Sequence, residues 1–370
     1  MNILHIINAL EVGGAERLLV DALPVVNGMG HKVKVILLFS SGSCFEKQLL
    51  DAGIYVEALD LKYGLYDPRI VLYLRRCMAD ADVVHSHLFP SQYWAALTHC
   101  LRRGSVLVTT EHSTSNTRAR YWFTSLVDKW IYGKYDGIIC ISDATAHFMQ
   151  HRTPKHVKIR VIENGVKLPS VAELHQFIVK RSEIAEGLHD NTFVVLQVAR
   201  FSDQKNQDCV IRALPLLPQD VHVLFAGYGK RLGECKQLAK NLNVANRTHF
   251  LGLREDIAQL WSIANIGVMS SHWEGFGLAA VEGMAYGKPV IASNVPGLAE
   301  VIGNNDLLFA PNDEQQLADI IMRFYKNPTY KEECGKASIV QANKFDIKTM
   351  AMHYISFYKE LLGKKKIKCK

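Results

Sequence analysis

Short apolar runs that alternate with helical patterns constrain the fold of this chain most strongly. Residues 2–9 form the first apolar run and residues 32–39 the second, with a helical pattern at 16–29 between them. Such runs are typical of buried parallel strands, which need a crossover connection between them. Because the same alternation restarts with the run at 193–198, the sequence predicts an α/β protein with two parallel-sheet domains.

The length of 370 residues is enough for two domains that each bury a core. The turn Asn164-Gly165 and Pro169 indicate a boundary, so we expect an N-terminal domain at 1–170 and a second domain at 171–344. Residues 173–186 are expected to form a charged connecting helix, 345–362 a closing helix and 363–370 a basic tail. Further strands are expected at 82–87, 106–110, 137–142, 158–162, 221–226, 249–252, 263–269 and 289–292.

Composition narrows the class of protein. The hydrophobic fraction is 48% and the charged fraction 21%, as in soluble enzymes. The first residues lack a basic segment before their apolar run, so we do not expect a signal peptide. The eight cysteines are scattered without a C-x-x-C pair, which favours reduced thiols and a cytoplasmic location over disulfides or zinc.

The net charge of +7 is unevenly distributed. Residues 345–370 contain seven basic and two acidic residues, and the chain ends in KKKIKCK. A nucleic-acid-binding protein would spread such charge over a groove with interleaved aromatic residues, so no nucleic-acid partner is expected. Two interpretations of the basic end stay open: a frayed, solvated terminus, or contact with an anionic membrane at the inner face of the cell.

Residues 120–132 form an amphipathic helical pattern that is rich in aromatic residues and flanked by cations. Such a helix can lie on a membrane interface. It can also pack on the sheet, as most apolar stripes with helical spacing do. The sequence leaves both interpretations open.

Residues 271–289, SHWEGFGLAAVEGMAYGKP, carry the first candidate site. Gly275 and Gly277 flank Phe276, so the backbone can adopt positive φ and approach a ligand closely. Leu278 then begins a helical pattern. A strand followed by a glycine loop and a helix N-terminus is suited to bind an anion through free N–H groups.

Two carboxylates lie in the same stretch. Glu274 belongs to the glycine loop and Glu282 lies about two turns along the helix. A carboxylate beside a phosphate site suits hydroxyl groups of a ribose or another sugar, from which it accepts hydrogen bonds. A helix cap and a solvated helix residue are the structural alternatives.

The loop after the strand at 193–198 carries two cations, Arg200 and Lys205, five residues apart. Together with the helix N-terminus they suit a diphosphate that has a sugar at each end. We expect the phosphates at the two cations, ribose at Glu282 and the second sugar at Glu274. A dinucleotide site is excluded, because the chain has no G-x-G-x-x-G and its second strand ends at Ser40 without a ribose-binding acid.

Histidines mark the ends of two strands of the first domain. His85 and His87 form an H-x-H pair that could bind a metal, but no third ligand is evident nearby, which favours a structural role. The D-x-D pattern at 80–82 precedes its strand, so we interpret it as a turn. For His112, which follows the strand at 106–110, a place in the ligand crevice and a hydrogen-bonded loop position are equally open.

These residues as a set resemble the retaining glycosyltransferases of family 4, which have the GT-B fold of two Rossmann-like domains facing across a cleft. The E-x7-E stretch with R-x4-K upstream is specific only in combination with the other segments. The matching segments are Gly13-Gly14-Ala15-Glu16, DVVHSH at 82–87, TTEHS at 109–113, ISDA at 141–144, IENGV at 162–166, VARFSDQKN at 198–206, AGYG at 226–229, FLG at 250–252 and EGFGLAAVEGMAYGKPVIAS at 274–293.

The resemblance implies roles for individual residues. Arg200 and Lys205 would hold the donor diphosphate, Glu282 the ribose hydroxyls and Glu274 the donor sugar, while His112 would face the transferred sugar. Further donor-binding residues implied by it are Gly14, Gly227, Arg254, Gly275, Phe276, Gly277 and Leu278. The closing helix would cross back to the first domain. Pro296-Gly297 departs from the glycine pair common in the family.

The resemblance also implies the reaction. A sugar would move from a nucleotide-diphosphate sugar to an acceptor hydroxyl with retention, without a metal or other cofactor, because fixed cations neutralise the leaving group. Uracil is the expected base, with guanine as the alternative, and the acceptor would be a glycan or lipid-linked saccharide of surface or capsular polysaccharide synthesis. An epimerase or phosphorylase of the same fold, an NAD-type oxidoreductase and a catalytically silent sugar-nucleotide-binding protein are the competing hypotheses.

Overall fold

The computed structural model describes residues 1–11, 13–61, 64–101, 104–112, 122–176 and 179–368. Tertiary contacts divide the chain into two units. The N-terminal unit comprises Met1–Val166 and the chain from Ile347 onward, and the C-terminal unit comprises Lys167–Asp346.

The N-terminal unit contains a sheet of seven parallel strands among its described residues, in the order β3-β2-β1-β4-β5-β6-β7. The strands are β1 (Asn2–Ile7), β2 (Lys32–Leu37), β3 (Tyr55–Ala58), β4 (Val83–His87), β5 (Val106–Glu111), β6 (Gly137–Cys140) and β7 (Lys158–Val161). The helices between them are α1 (Gly14–Gly28), α2 (Cys44–Asp51), α3 (Ile70–Cys77), α4 (Ser91–Leu101), α5 (Trp122–Tyr132) and α6 (Asp143–Gln150). Central strands such as β4 and β6 are buried along their whole length, which explains their continuous apolar runs.

The described part of the C-terminal unit repeats the architecture with six parallel strands, in the order β10-β9-β8-β11-β12-β13. The strands are β8 (Phe193–Val198), β9 (Val221–Ala226), β10 (Thr248–Gly252), β11 (Ile266–Met269), β12 (Val290–Ser293) and β13 (Leu308–Phe309). The helices are α7 (Val171–Gln176), α8 (Arg181–Ile184), α9 (Gln207–Ala213), α10 (Leu232–Asn241), α11 (Ile257–Ile263), α12 (Leu278–Ala285), α13 (Leu298–Ile302), α14 (Glu314–Lys326) and α15 (Pro328–Ala342).

The last helix, α16 (Ile347–Lys368), belongs to the N-terminal unit. It packs closely on the sheet because glycines without a side chain lie in the contact. A Cβ atom on Gly137 of β6 would lie 2.7 Å from the Phe357 ring. A Cβ on Gly165 would likewise lie 2.6 Å from the Cα of Ile347. The chain thus returns to the first sheet, as the family resemblance implies.

Two expected elements differ from the structure, and two strands were not expected. The strand expected at 263–269 begins only at Ile266, because Ile263 is still the last residue of α11. The single helix expected at 173–186 is wrong: α7 ends at Gln176 and α8 begins at Arg181, with residues 177–178 outside the described part. Strands β3 and β13 were not expected, since β3 has no buried residue and β13 is two residues long.

Part of the basic end belongs to the last helix. Helix α16 continues to Lys368, beyond the expected end at residue 362. Lys365 Nζ donates to the Ser105 carbonyl at 2.5 Å and lies 3.5 Å from Asp136 Oδ2. This lysine therefore ties the helix to the amino-terminal edge of the sheet. Within the described part of the chain, no helix combines the length and the apolarity needed to cross a bilayer.

Candidate active site

The candidate site of the C-terminal unit lies where the order of its strands reverses. Strands β8 and β11 are neighbours in the sheet, and their crossovers run to opposite sides. Ligands of open α/β sheets bind at the carboxyl ends of the strands that flank such a point. The loop after β8 carries Arg200 and Lys205, and the loop after β11 carries Glu274. The topology therefore brings the sequence-predicted cations and one carboxylate to one edge of the sheet.

Lys205 and Glu274 are in direct contact. The Lys205 ammonium donates to Oε2 of Glu274, and the two side chains are only 23% and 15% exposed. Ser271 Oγ donates to the same carboxylate oxygen at 3.3 Å, and the Gly275 amide donates to Oε1 at 3.3 Å. The carboxylate is thus held by a cation, a hydroxyl and a backbone N–H, which fixes its position beside the cation.

Polar contacts between the two loops keep this arrangement in place. Ser270 Oγ donates to the Asn206 carbonyl at 2.8 Å, and the His272 amide donates to the Gln204 carbonyl at 2.8 Å. Gln197, on β8, donates to the Lys205 carbonyl at 3.2 Å. The loop after β8 is therefore attached to the loop after β11 on both sides of Lys205, and the cation is positioned before any ligand arrives.

Arg200 is exposed just past the end of β8. The backbone of its loop is held against Gly227. The Ala199 amide donates to the Ala226 carbonyl at 3.0 Å, so the loop stays paired with the chain after β9. Gly227 has a φ of 147°, and a Cβ atom there would lie 2.0 Å from the Ala199 carbonyl oxygen. Only glycine allows this approach, so the structural role of Gly227 is to seat the loop that presents Arg200.

The glycine loop before α12 has the conformation expected from the sequence at Gly277. Its φ is 96°, and it caps α12 without any side-chain hydrogen bond, so Leu278 opens a helix whose first N–H groups have no side-chain cap. Phe276 is 4% exposed and packs edge-on against Phe345 at 5.3 Å. The phenyl ring therefore anchors the loop, and the backbone is what the loop can offer to an anion.

Gly297 supports this loop from behind, a role that the sequence analysis missed. It has a φ of 85°, and a Cβ atom there would lie 2.6 Å from the carbonyl oxygen of Glu274. The chain before α13 therefore packs against the Glu274-Gly275 backbone at Pro296-Gly297, where the sequence differs from the glycine pair common in the family. The sequence feature that could have indicated this role is the glycine itself. It lies in the loop after β12, as Gly277 lies in the loop after β11.

The two remaining donor residues of the C-terminal unit lie on or after other elements, α12 and β10. Glu282 is partly buried on α12, one helical turn beyond Leu278. Arg254 follows β10, the edge strand, two strands from β8. Its guanidinium forms a bidentate ion pair with Asp256, at 2.7 and 2.5 Å, and this hydrogen bonding lowers the pKa of the Asp256 carboxyl.

The N-terminal unit presents a second helix N-terminus at its own point of strand reversal, between β1 and β4. Gly14 is the exposed first residue of α1, and Gly13 caps the helix without a side-chain hydrogen bond. The Glu16 carboxylate covers Gly13, because a Cβ atom there would lie 2.4 Å from Glu16 Oε2. An acid in the first turn stabilises the helix end.

Four histidines cluster at the same edge of the sheet. His5 on β1 lies beside His85 on β4, and its Nδ1 is 3.0 Å from Nε2 of His87. His85 is held by the Tyr358 hydroxyl at 2.6 Å and by Thr110 Oγ1 at 2.7 Å. The ring of His112 lies 5.9 Å from that of His87. The expectation that His85 and His87 have no third ligand nearby was wrong, because the strand order brings in His5.

Burial keeps these imidazoles neutral. It lowers the pKa of His5 to about 3 and that of His112 to about 4, and it lowers the pKa of His85 and His87 well below 6.5. Neutral imidazole is the form that ligates metals, and His5, His85 and His87 offer nitrogens within 4.8 Å of one another. Both ring nitrogens of His85 already have partners, so a metal would have to displace these hydrogen bonds.

Two ring nitrogens in the cluster lack a partner in the described part of the chain. They are Nδ1 of His87 and Nε2 of His112, and both are buried. Unpaired buried polar atoms are costly and mark places where a water or a ligand group is expected. His112 therefore has a donor or acceptor available at the ligand edge of the sheet, which favours the crevice interpretation over the loop interpretation.

Comparisons with known proteins agree with this architecture. The sequence model described as "Glycosyltransferase Family 4" matches residues 12–168, and that described as "Glycosyl transferases group 1" matches residues 179–341. The putative glycosyltransferase EpsD of Bacillus subtilis is 27% identical over 71% of this chain and 72% of its own length. These matches do not favour the epimerase or phosphorylase alternative.

A second relative is named UDP-Gal:alpha-D-GlcNAc-diphosphoundecaprenol alpha-1,3-galactosyltransferase, from Escherichia coli. It is 26% identical over 65% of this chain and 66% of its own length. Among solved structures, Anabaena HepE in complex with UDP and glucose superimposes with a TM-score of 0.84 at 24% identity, covering 97% of this chain and 100% of HepE. The two family models together span most of the chain, and the chain is a group 1 glycosyltransferase with the GT-B fold.

Proposed function

We propose that this glycosyltransferase moves a sugar from a UDP-sugar to an acceptor hydroxyl and retains the configuration of the anomeric carbon. The observation that carries the proposal is the Lys205–Glu274 contact beside the Gly277 helix start, at the strand reversal of the C-terminal sheet. A cation next to free N–H groups suits a diphosphate, and the adjoining carboxylate suits sugar hydroxyls. HepE, which shares the fold, has been solved with UDP and glucose.

In this proposal Arg200 and Lys205 neutralise the diphosphate as it leaves, and Glu282 binds the ribose hydroxyls. The backbone N–H groups of 276–278 complete the anion site, since the Gly275 N–H already donates to Glu274. The departing β-phosphate oxygen takes the proton of the acceptor hydroxyl on the face where the new bond forms. Glu274 positions the donor sugar, and its contact with Lys205 suits a positioning role better than that of a nucleophile.

Residues of the N-terminal unit take part through Gly14, at the start of α1, and through His112. The neutral imidazole of His112, with a buried nitrogen that lacks a partner in the described residues, is suited to bind a hydroxyl of the transferred sugar. Arg254 lies near the nucleobase of the donor. Gly227 holds the loop that presents Arg200 to the diphosphate. The cytoplasmic location expected from the cysteine pattern stays a prediction.

The acceptor in this proposal is a glycan or a lipid-linked saccharide of cell-surface polysaccharide synthesis, and the reaction needs no metal. The name of the Escherichia coli relative includes a diphosphoundecaprenol-linked saccharide, which supports a lipid-linked acceptor. Fixed cations and a helix start can replace a metal at the leaving group.

A transfer assay tests the proposal. The purified chain is first screened against UDP, GDP, ADP and their sugars by thermal shift, since a bound ligand raises the apparent stability. The stabilising donor is then incubated with lipid-linked saccharides, with and without EDTA. We expect the largest shift with UDP or a UDP-sugar and a product of retained configuration at an undiminished rate in EDTA. An absolute need for Mn²⁺, or conversion of the donor without an acceptor, would contradict the proposal.

A further inference from the structure

The residue that follows Lys205 has a left-handed backbone conformation. Lys205 ends a short 3-10 turn, Asp203–Lys205, and Asn206 joins this turn to α9 with a φ of 46° and a ψ of 50°. This conformation is costly for residues with a side chain, although asparagine adopts it more readily than most. The torsion angles of Asn206 therefore determine how the turn presents Lys205 relative to α9.

The side chain of Asn206 is buried and has a defined partner. It is 4% exposed, and its Nδ2 donates to Oδ1 of Asn312 at 3.0 Å. A buried amide without a partner is costly, so this hydrogen bond stabilises the observed position of the Asn206 side chain. Since the Asn206 carbonyl also accepts from Ser270 Oγ at 2.8 Å, the residue is held through both its side chain and its backbone.

Asn312 comes from a loop that the sequence analysis did not connect with the site. It follows β13, whose carboxyl end lies at the same edge of the parallel sheet as that of β8. The loop is attached to the first turn of α14 on both sides of Asn312. The Ala310 amide donates to Gln316 Oε1 at 2.7 Å, and the Gln316 amide donates to Asp313 Oδ1 at 2.8 Å. These contacts hold the loop from which Asn312 reaches Asn206.

The two asparagines connect elements that are already packed together. Helix α14, which follows Asn312, contacts α9, which follows Asn206. Loss of the hydrogen bond between the side chains would therefore leave the packing of these helices in place. Its effect would fall on the short turn before α9, which carries Lys205.

We propose that Asn312 is a positioning residue for Lys205. Through Asn206 it holds the turn that directs the Lys205 ammonium to Glu274. The consequence for catalysis rests on the proposed function, in which the same ammonium stabilises the leaving diphosphate. A preorganised cation stabilises developing charge only when it is correctly placed, so a small displacement of the turn lowers the rate.

Chemical labelling of Lys205 tests the positioning independently of catalysis. The Lys205 side chain is 23% exposed and paired with Glu274, and both features slow its acetylation by acetic anhydride. Asn312→Gly removes the side-chain hydrogen bond but still allows the φ of 66° at this position. We expect the labelling rate of Lys205 to rise about threefold in this variant. The rate is measured by peptide mass spectrometry and normalised to the exposed Lys336.

Steady-state transfer measures the catalytic consequence. We expect Asn312→Gly to lower kcat about fivefold, the effect of one lost neutral hydrogen bond. The KM for the donor should change less than about twofold, because the displaced cation acts mainly on developing charge. Asn312→Asp keeps an acceptor oxygen for Asn206 and should retain most of the kcat. In the Lys205→Ala background, Asn312→Gly should have no further effect, since it acts through that side chain.

Asn243→Gly is the matched control. Like Asn312, Asn243 is an exposed asparagine with a positive φ, here 56°. It precedes β10 and so lies at the amino edge of the sheet, whereas Lys205 lies at the carboxyl edge. The control should change neither the labelling of Lys205 nor kcat. Thermal unfolding of both glycine variants establishes that they are folded.

An unchanged labelling rate of Lys205 in Asn312→Gly would overturn the inference. It would also be overturned if Asn312→Gly lowered kcat equally with and without Lys205, or if Asn312→Asp lost as much activity as Asn312→Gly. A raised labelling rate together with full activity of Lys205→Ala has a different meaning. It would support the positioning of Lys205 by Asn312 and refute the role of Lys205 in the proposed function.

Discussion

Lys205 and Glu274 form an ion pair across 69 residues of sequence, because β8 and β11 are neighbours at the strand reversal of the C-terminal sheet. The contact places a fixed positive charge and a carboxylate side by side at the start of α12. Neither side chain is fully exposed, so water screens their charges less than it would on an open surface. A site arranged in this way is prepared for a charged leaving group joined to a sugar.

Removal of the Lys205 ammonium should mainly affect catalysis. We expect Lys205→Ala to lower kcat by about 10²–10³-fold, the usual loss of one preorganised donor that stabilises developing charge. The measurement is steady-state transfer of a radiolabelled sugar. Lys336→Ala, at an exposed lysine of α15 in the same unit, is the control and should retain full activity. Nearly full activity in Lys205→Ala would exclude the role in leaving-group stabilisation.

Glu274→Gln distinguishes a positioning carboxylate from a nucleophile. The amide keeps the shape of the side chain but loses the charge that pairs with Lys205 and accepts from sugar hydroxyls. We expect kcat to fall by about 10–10²-fold, the cost of one charge-assisted hydrogen bond. Azide should not restore turnover, because no nucleophile has been lost. A glycosyl azide of inverted configuration in the product mixture would show that Glu274 is the nucleophile.

Gly297→Ala should disturb the donor site from behind. The new Cβ would clash with the Glu274 carbonyl oxygen at 2.6 Å. The alanine would also be strained by the φ of 85°. Gly187→Ala is matched to it, since Gly187 has a φ of 82° and nothing within 4 Å of its Cβ position. Both variants should lose about 1–2 kcal/mol in the free energy of unfolding from the strained φ.

Only Gly297→Ala should also weaken the binding of nucleoside diphosphate, measured by calorimetry, because it shifts the Glu274-Gly275 backbone. Equal affinities in Gly297→Ala and Gly187→Ala would remove the proposed supporting role of Gly297.

The histidine cluster should make the N-terminal unit sensitive to acid. Burial lowers the pKa of His5 to about 3, whereas the unfolded imidazole titrates near 6.5. The folded state therefore binds fewer protons, and stability is complete above about pH 6.5 and is lost as the pH falls towards 3. One such histidine contributes a slope of about 1.4 kcal/mol per pH unit in that window.

His5→Asn should reduce this slope, measured as the unfolding free energy of β1 and β4 by hydrogen exchange at several pH values. His353→Asn, at an exposed histidine of α16, should leave the slope as it is. If both variants and the unchanged chain lose stability equally on acidification, His5 is not the group that titrates.

Much of the fold was predictable because buried parallel strands leave continuous apolar runs, as at β1, β6 and β8. The exceptions have physical causes. Strand β3 lies at the sheet edge with alternating exposure, so its run is not continuous. Residues 173–186 have a helical composition, yet α7 ends at Gln176 and α8 spans only Arg181–Ile184, because helix propensity is a weak preference that the surrounding fold overrides.

The candidate site was predictable in its parts but not in its contacts. The residue types at 200, 205, 274 and 282 indicated a diphosphate between two sugars. That Lys205 touches Glu274 depends on the strand order, which no local pattern gives. The same holds for His5, which lies beside His85 only because β1 and β4 are neighbours. Gly227 and Gly297 act by allowing two backbones to approach, and such roles appear only once both backbones are placed.

A crystal structure of the chain with bound UDP tests the central claim most directly. We expect the diphosphate to contact the Lys205 ammonium, the Arg200 guanidinium and the first N–H groups of α12, and the ribose hydroxyls to bind Glu282. A nucleotide bound elsewhere, or a diphosphate that contacts neither Lys205 nor the start of α12, would contradict it.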